Sequence, residues 1–158
     1  MSLQDFYIWC EKTWIGTVLQ TNTYPFPVIE AVHLLTITLM LGTLFTINFR
    51  VLGFVLKGRP VSEVVDGVQT WMRTGYVLTI ITGIVLFMSE ALKLSANAAW
   101  LPKMGLLVAA MVFQFILSAF MLRGTRMEQP TALAKTLAVA STLLWLVTGV
   151  AARWIAFV

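Results

Sequence analysis

The chain has 158 residues, of which 59% are hydrophobic and 11% charged, and its mean hydropathy is +0.86. That balance is too apolar for a soluble domain of this length and fits a small helical membrane protein. The formal charge of +4 is dispersed along the chain rather than gathered into a stripe, so a nucleic-acid partner is excluded and lysines and arginines near lipid headgroups are expected.

The long runs are apolar nearly throughout, without the alternation of a spanning strand. Backbone groups in lipid must then be satisfied within helices, which excludes a β-barrel. The expected fold is all-α: an antiparallel bundle of four transmembrane helices preceded by an interfacial amphipathic helix. The opening MSLQDFYIWCEKTWIG has no basic n-region and carries Asp5 and Glu11, so no removable signal peptide is expected. Cys10 is the single cysteine and has no intrachain disulfide partner.

Residues 1–24 form the first expected unit. From Ser2 to Leu19 one helical stripe collects Phe6, Trp9, Cys10, Thr13, Trp14, Thr17 and Val18, the pattern of one amphipathic helix lying in the membrane interface. Trp14, like Trp100 and Trp154 later, is read as a lipid-facing anchor. The run from Thr21 to Pro27 breaks the helix, because proline removes a donor and restricts the residue before it.

Residues 25–158 form the second unit, with spans at about 27–53, 74–92, 101–122 and 131–155. Arg50, Lys57 and Arg59 follow the first span, and Ser62 is expected to cap a short amphipathic helix, SEVVDGVQTWMR, resting on the membrane surface. In the second span Gly75, Thr79 and Gly83 recur every four residues, a small-residue stripe that lets another helix approach closely. The third span opens near Trp100 with Pro102 in its first turn and has Gln114 as its lone central polar residue. The fourth runs through Ser141, Thr142, Trp145 and Gly149, with Arg153 in its last turns. Lysines and arginines concentrate on the connection between spans one and two and on that between three and four, where Arg123, Arg126 and Lys135 stand. Those connections are expected to be cytoplasmic and both termini to face outward from a bacterial inner membrane.

Antiparallel packing brings Glu30, His33, Glu90, Lys103 and Arg153 to a similar depth on the outer side. His33, the only histidine, lies roughly 9 Å along its helix from Pro27, within the outer part of the hydrocarbon layer. Its i, i+3 spacing from Glu30 puts both on one face. Two readings follow. In the structural one, Glu30 pairs with Arg153 or Lys103, and His33 bonds a threonine or a carbonyl. In the functional one, neutral imidazole serves as a haem ligand, an ionisable group in lipid being a functional candidate by default. A diiron or zinc site in one chain would need further histidines or carboxylates. Haem needs one strong protein ligand, with a second from water, Lys103, a methionine such as Met40, Met88, Met104 or Met111, or another subunit. Phosphate-loop and hydrolase motifs are missing from the sequence.

The pattern EAVHLLTITLMLGTL followed by NFRVLG, the WLPKMGLL opening of the third span and the AARWIAF ending resemble small bacterial membrane proteins related to the copper-resistance D domain and to HemJ-type protoporphyrinogen oxidases. The likeness runs from Pro25 onward. It implies b-type haem at His33 and a functional role for Lys103. The chain departs from those proteins in having no second histidine and no evident extra Met or His copper ligands.

The leading expectation is a b-type haem protein with a redox or electron-transfer role, a haem-dependent oxidoreductase being one form of it. His33 is the axial ligand, Glu30, Lys103 and Arg153 steer propionates or protons, and a quinone or outer redox protein is the partner. The competing class is a non-catalytic membrane subunit without cofactor, in a homo-oligomer or a larger complex. A metal-ion or small-solute transporter is a weaker third, given one histidine and few midplane charges. Enclosing a large cofactor with four spans favours a homo-oligomer.

Overall fold

The computed structural model describes the backbone of residues 2–123 and 130–154 and the side chains of 2–120 and 130–153. The side chains of Arg123 and Trp154, and Arg126 altogether, lie outside the described residues. Six helices follow one another: α1 (Leu3–Lys12), α2 (Trp14–Thr21), α3 (Pro25–Leu52), α4 (Val61–Ser95), α5 (Trp100–Arg123) and α6 (Ala132–Trp154). The last four are long and apolar enough to cross a membrane, and the chain is a multi-pass all-α membrane protein. Each is packed beside the next, and α3 also meets α6. The four thus close into an up-and-down bundle, with α1 and α2 laid along α4.

The N-terminal unit is two helices rather than one. At Thr13 the backbone turns extended (φ −63°, ψ 156°), and its hydroxyl donates to the Cys10 carbonyl while accepting from the Gly16 N–H. One residue therefore ends α1 and caps α2. At the front of α1, Ser2 and Asp5 form a reciprocal capping box. The Ser2 N–H holds the Asp5 carboxyl below the usual carboxylate range, so this cap is complete at neutral pH and is lost as acid protonates Asp5.

The expected surface helix at 62–73 is also corrected. Residues 61–95 form one continuous helix, preceded by Pro60 and not capped by Ser62. No breaker separates Arg73 from Thr74, and Val61, Val64, Val65 and Met72 are buried in the bundle core, while Trp71 is turned out. At 1.5 Å per residue α4 is about 50 Å long, well beyond the hydrocarbon layer.

Close approach of α3 and α4 follows the stripe of small residues. A Cβ on Gly75 would sit 3.0 Å from the Met40 backbone, and one on Gly83 would sit 3.2 Å from the His33 ring. Thr79 donates to Thr36 at 3.1 Å between them.

Near its far end α4 kinks at Glu90 (φ −129°, ψ 24°), which frees backbone groups that lipid could not satisfy. The N-terminal helices satisfy them. Glu11 accepts from the Leu92 N–H at 2.8 Å, and Gln20 donates to the Ser89 carbonyl at 2.8 Å. Tyr7 packs edge-on against Phe87, and Cys10 and Leu19 are buried.

Candidate functional site

His33 lies two turns inside α3, half-buried against α4. Its Nδ1 stands 2.7 Å from the Thr82 hydroxyl oxygen. That hydroxyl is itself 2.7 Å from the Leu78 carbonyl, one turn earlier. A hydroxyl has a single proton, and a carbonyl can only accept, so the Thr82 proton goes to Leu78 and the Thr82 oxygen accepts from His33 Nδ1–H. In the neutral imidazole the lone pair is then on Nε2. Among the described residues no hydrogen-bond partner takes Nε2, while Thr36 donates to the His33 carbonyl at 2.8 Å. A second-row hydrogen bond of this kind fixes ring orientation and tautomer in metal-binding histidines.

Thr82→Val removes the acceptor with little change in shape. Stability is expected to fall by about 1–2 kcal/mol, and the fixed Nδ1–H tautomer to be lost, as read from imidazole 15N shifts. Unchanged shifts would remove Thr82 from this role.

The expected polar layer assembles in part. Glu30 and Lys103 are the charges whose fields reach the His33 ring; Arg153 stands exposed in the last turn of α6 and is not one of them. Glu30 is exposed and forms no ion pair among the described residues. Glu90 is taken by Lys93 at 2.8 Å. The Lys103 ammonium lies 5.2 Å from the centre of the Trp100 ring, which stacks on Phe87 at 5.4 Å. Trp100, expected to be a lipid anchor, is therefore a packing platform that carries a cation; Trp14 is 79% exposed, as an anchor requires.

The donor atom suits haem iron, since a neutral imidazole nitrogen is an ordinary axial ligand. Enclosure is a separate matter. A groove of about 490 Å3 opens between α5 and α6, lined by Lys103, Pro102, Leu146 and Val150 among others, and a smaller one of about 260 Å3 lies by Gln20, Phe26 and Glu90; His33 lines neither. In this half of the bundle no described residue of α5 before Ala110 or of α6 after Thr148 is fully buried. Walls for a macrocycle at His33 have to come partly from outside one chain. Among the described residues no three of the His, Cys, Asp and Glu type come together around a metal.

A second polar cluster lies in the opposite half, about 22 Å further along α3. The Asn48 side-chain amide donates to Ser141 at 3.1 Å and to Thr142 at 3.2 Å, and Ser141 donates to the Gln114 side-chain oxygen. Asn48, Gln114 and Ser141 have no exposed surface. Asn48 Oδ1, Gln114 Nε2, Ser118 Oγ, Tyr76 OH and Trp145 Nε1 are buried without a partner. Sequence reading singled out Gln114, Ser141 and Thr142 one by one; their convergence with Asn48 needed the helix neighbours. The only early signal was that each is polar within an apolar span.

No curated protein and no solved structure matches the chain. Residues 6–158, nearly the whole length and all six helices, match the family of unknown function DUF6644, and the chain belongs to that family.

Proposed function

We propose that this protein is an integral membrane b-type haem-binding protein with a redox or electron-transfer role. The observation that carries the reading is the Thr82–His33 hydrogen bond, which orients the ring and leaves Nε2 without a partner. His33 is the axial ligand. Lys103 and Arg153 supply cations for the propionates, and Glu30 is a carboxylate for handling a proton beside them. Haem, when bound, supplies one-electron chemistry at its iron. The chain's own contribution is to fix the imidazole, withdraw it from water and set charge around it.

The unburied ends of α5 and α6, and the groove containing Lys103, support a homo-oligomer in which a neighbouring copy completes the walls. The lysine and arginine distribution supports a bacterial inner-membrane location, with both termini and the His33 end periplasmic. A quinone or an outer redox protein is the proposed electron partner. The resemblance to HemJ-type proteins points the same way.

The test is a visible spectrum of full-length protein purified from membranes with haem supplied. A Soret band at near-stoichiometric intensity, abolished in His33→Ala with helicity retained, is the expected result. A colourless preparation that is helical and stable overturns the reading. It would favour the second one, in which His33–Thr82 and Thr36–Thr79 only stitch α3 to α4 in a cofactor-free membrane subunit.

A further inference from the structure

The geometry points to a binding site for the phosphate of an anionic phospholipid at the opposite end of the bundle from His33, built on Arg50. This site does not rest on the haem reading. Arg50 is only 5% exposed, and among the described residues no carboxylate forms an ion pair with it. Its Nε donates to the Arg59 carbonyl at 2.7 Å, and among the described residues the other four guanidinium N–H groups have no hydrogen-bond partner; their nitrogens are not among the buried unpartnered atoms, so the fork reaches the surface while its stem is buried.

The connection after α3 is folded to make this arrangement. Gly53 ends the helix at φ 82°, and Leu56, a residue with a side chain, takes the left-handed φ of 49° and accepts from the Arg59 N–H at 3.0 Å. That turn lays the Arg59 carbonyl on Arg50. Two residues later α4 begins, with no side-chain cap on its first N–H groups, so the positive end of a long helix dipole adjoins the guanidinium.

The nearby charges favour an anion from outside. Lys57 adds a cation that forms no salt bridge among the described residues. Glu63 is engaged by Arg59 at 3.1 Å, and Asp66 accepts from Gln69 at 3.2 Å. An accessible guanidinium held at one edge by a carbonyl presents a planar fork that matches two phosphate oxygens. The ends of the spans lie where lipid phosphates lie. Free phosphate shares the chemistry; the headgroup is the source proposed.

Full-length protein in nanodiscs of phosphatidylcholine, with or without phosphatidylglycerol, provides the test. Native mass spectrometry reads lipid retention, and thermal unfolding reads stability. Wild type is expected to retain phosphatidylglycerol selectively and to melt higher in its presence. Arg50→Gln should lower retention about tenfold, whereas Lys135→Gln, which removes an equal charge from an exposed position near the start of α6 at the same end, should change it less than about twofold. Equal losses in the two variants, or no selectivity in wild type, overturn the site. If Arg50→Gln does not fold, Arg50→Lys decides: it keeps the charge and loses the fork, and undiminished retention there overturns the proposal. A melting gain reproduced by inorganic phosphate in phosphatidylcholine alone would overturn the lipid as source.

Discussion

Gly16→Ala is expected to destabilise the protein by about 2–3 kcal/mol, although alanine is the better helix former. A Cβ at this position would lie 2.6 Å from the Glu11 carbonyl oxygen, 2.8 Å from that of Met88 and 2.9 Å from that of Cys10. All three are backbone atoms, so no side chain can swing aside. The methyl has to push α2 away from α4, and the Glu11–Leu92 and Gln20–Ser89 bonds that seal the kink at Glu90 are strained with it. Cys10 reports the event. Burial, with the charge of Glu11, pushes its thiol above the ordinary value, so docked protein should alkylate slowly and the variant at least about tenfold faster. The docked thiol holds its proton more tightly than a free one, so docking should also weaken as pH rises above about 8.5. Gly67→Ala is the contrast: nothing lies within 4 Å of its added methyl, and it should stabilise by roughly 0.5–1 kcal/mol. Equal effects at the two glycines would show that the close approach at Gly16 does not hold the N-terminal helices.

Gln114→Leu is expected to cost about 2–3 kcal/mol, and the combined Asn48→Leu, Gln114→Leu, Ser141→Ala variant less than the sum of its parts. In the native cluster Asn48 donates to Ser141 and Ser141 to Gln114. Removing one member leaves its neighbour facing hydrocarbon, the expensive outcome. Removing all three takes the stranded groups away together, as with a buried polar network replaced by apolar side chains. Thermal unfolding of single, double and triple variants in one lipid gives the coupling directly. Simple additivity would mean that the three side chains do not act as a unit.

Much of the architecture was legible in the residues. Four apolar stretches, the prolines opening α3, and the Gly75, Thr79 and Gly83 spacing were enough for an antiparallel bundle with a close helix approach on α4, whose partner, α3, only the packing shows. Local readings erred where packing overrode pattern. Ser62 has the chemistry of a cap, yet the helix starts before it because Val61 and Val65 are drawn into the core. Trp100 has the composition of an anchor, yet Phe87 lies beneath it.

The candidate site divides in the same way. His33 stood out as the lone histidine in an apolar span, and its i, i+3 relation to Glu30 is a property of any helix. The partner that sets its tautomer, Thr82, is 49 positions away, and nothing local distinguishes it from Thr79 or Thr74. The unpaired guanidinium of Arg50 and the convergence of Asn48, Ser141 and Gln114 were likewise invisible.

By itself the sequence determined the apolar surroundings of this protein and the number of helices able to cross a membrane, because the cost of an unsatisfied peptide group in lipid acts on each segment separately. Only the tertiary structure decided which polar groups meet. In hydrocarbon every helix is equally apolar on its outer face, so contacts are selected by close approach at small residues and by hydrogen bonds between helices, and both depend on atoms distant in the chain.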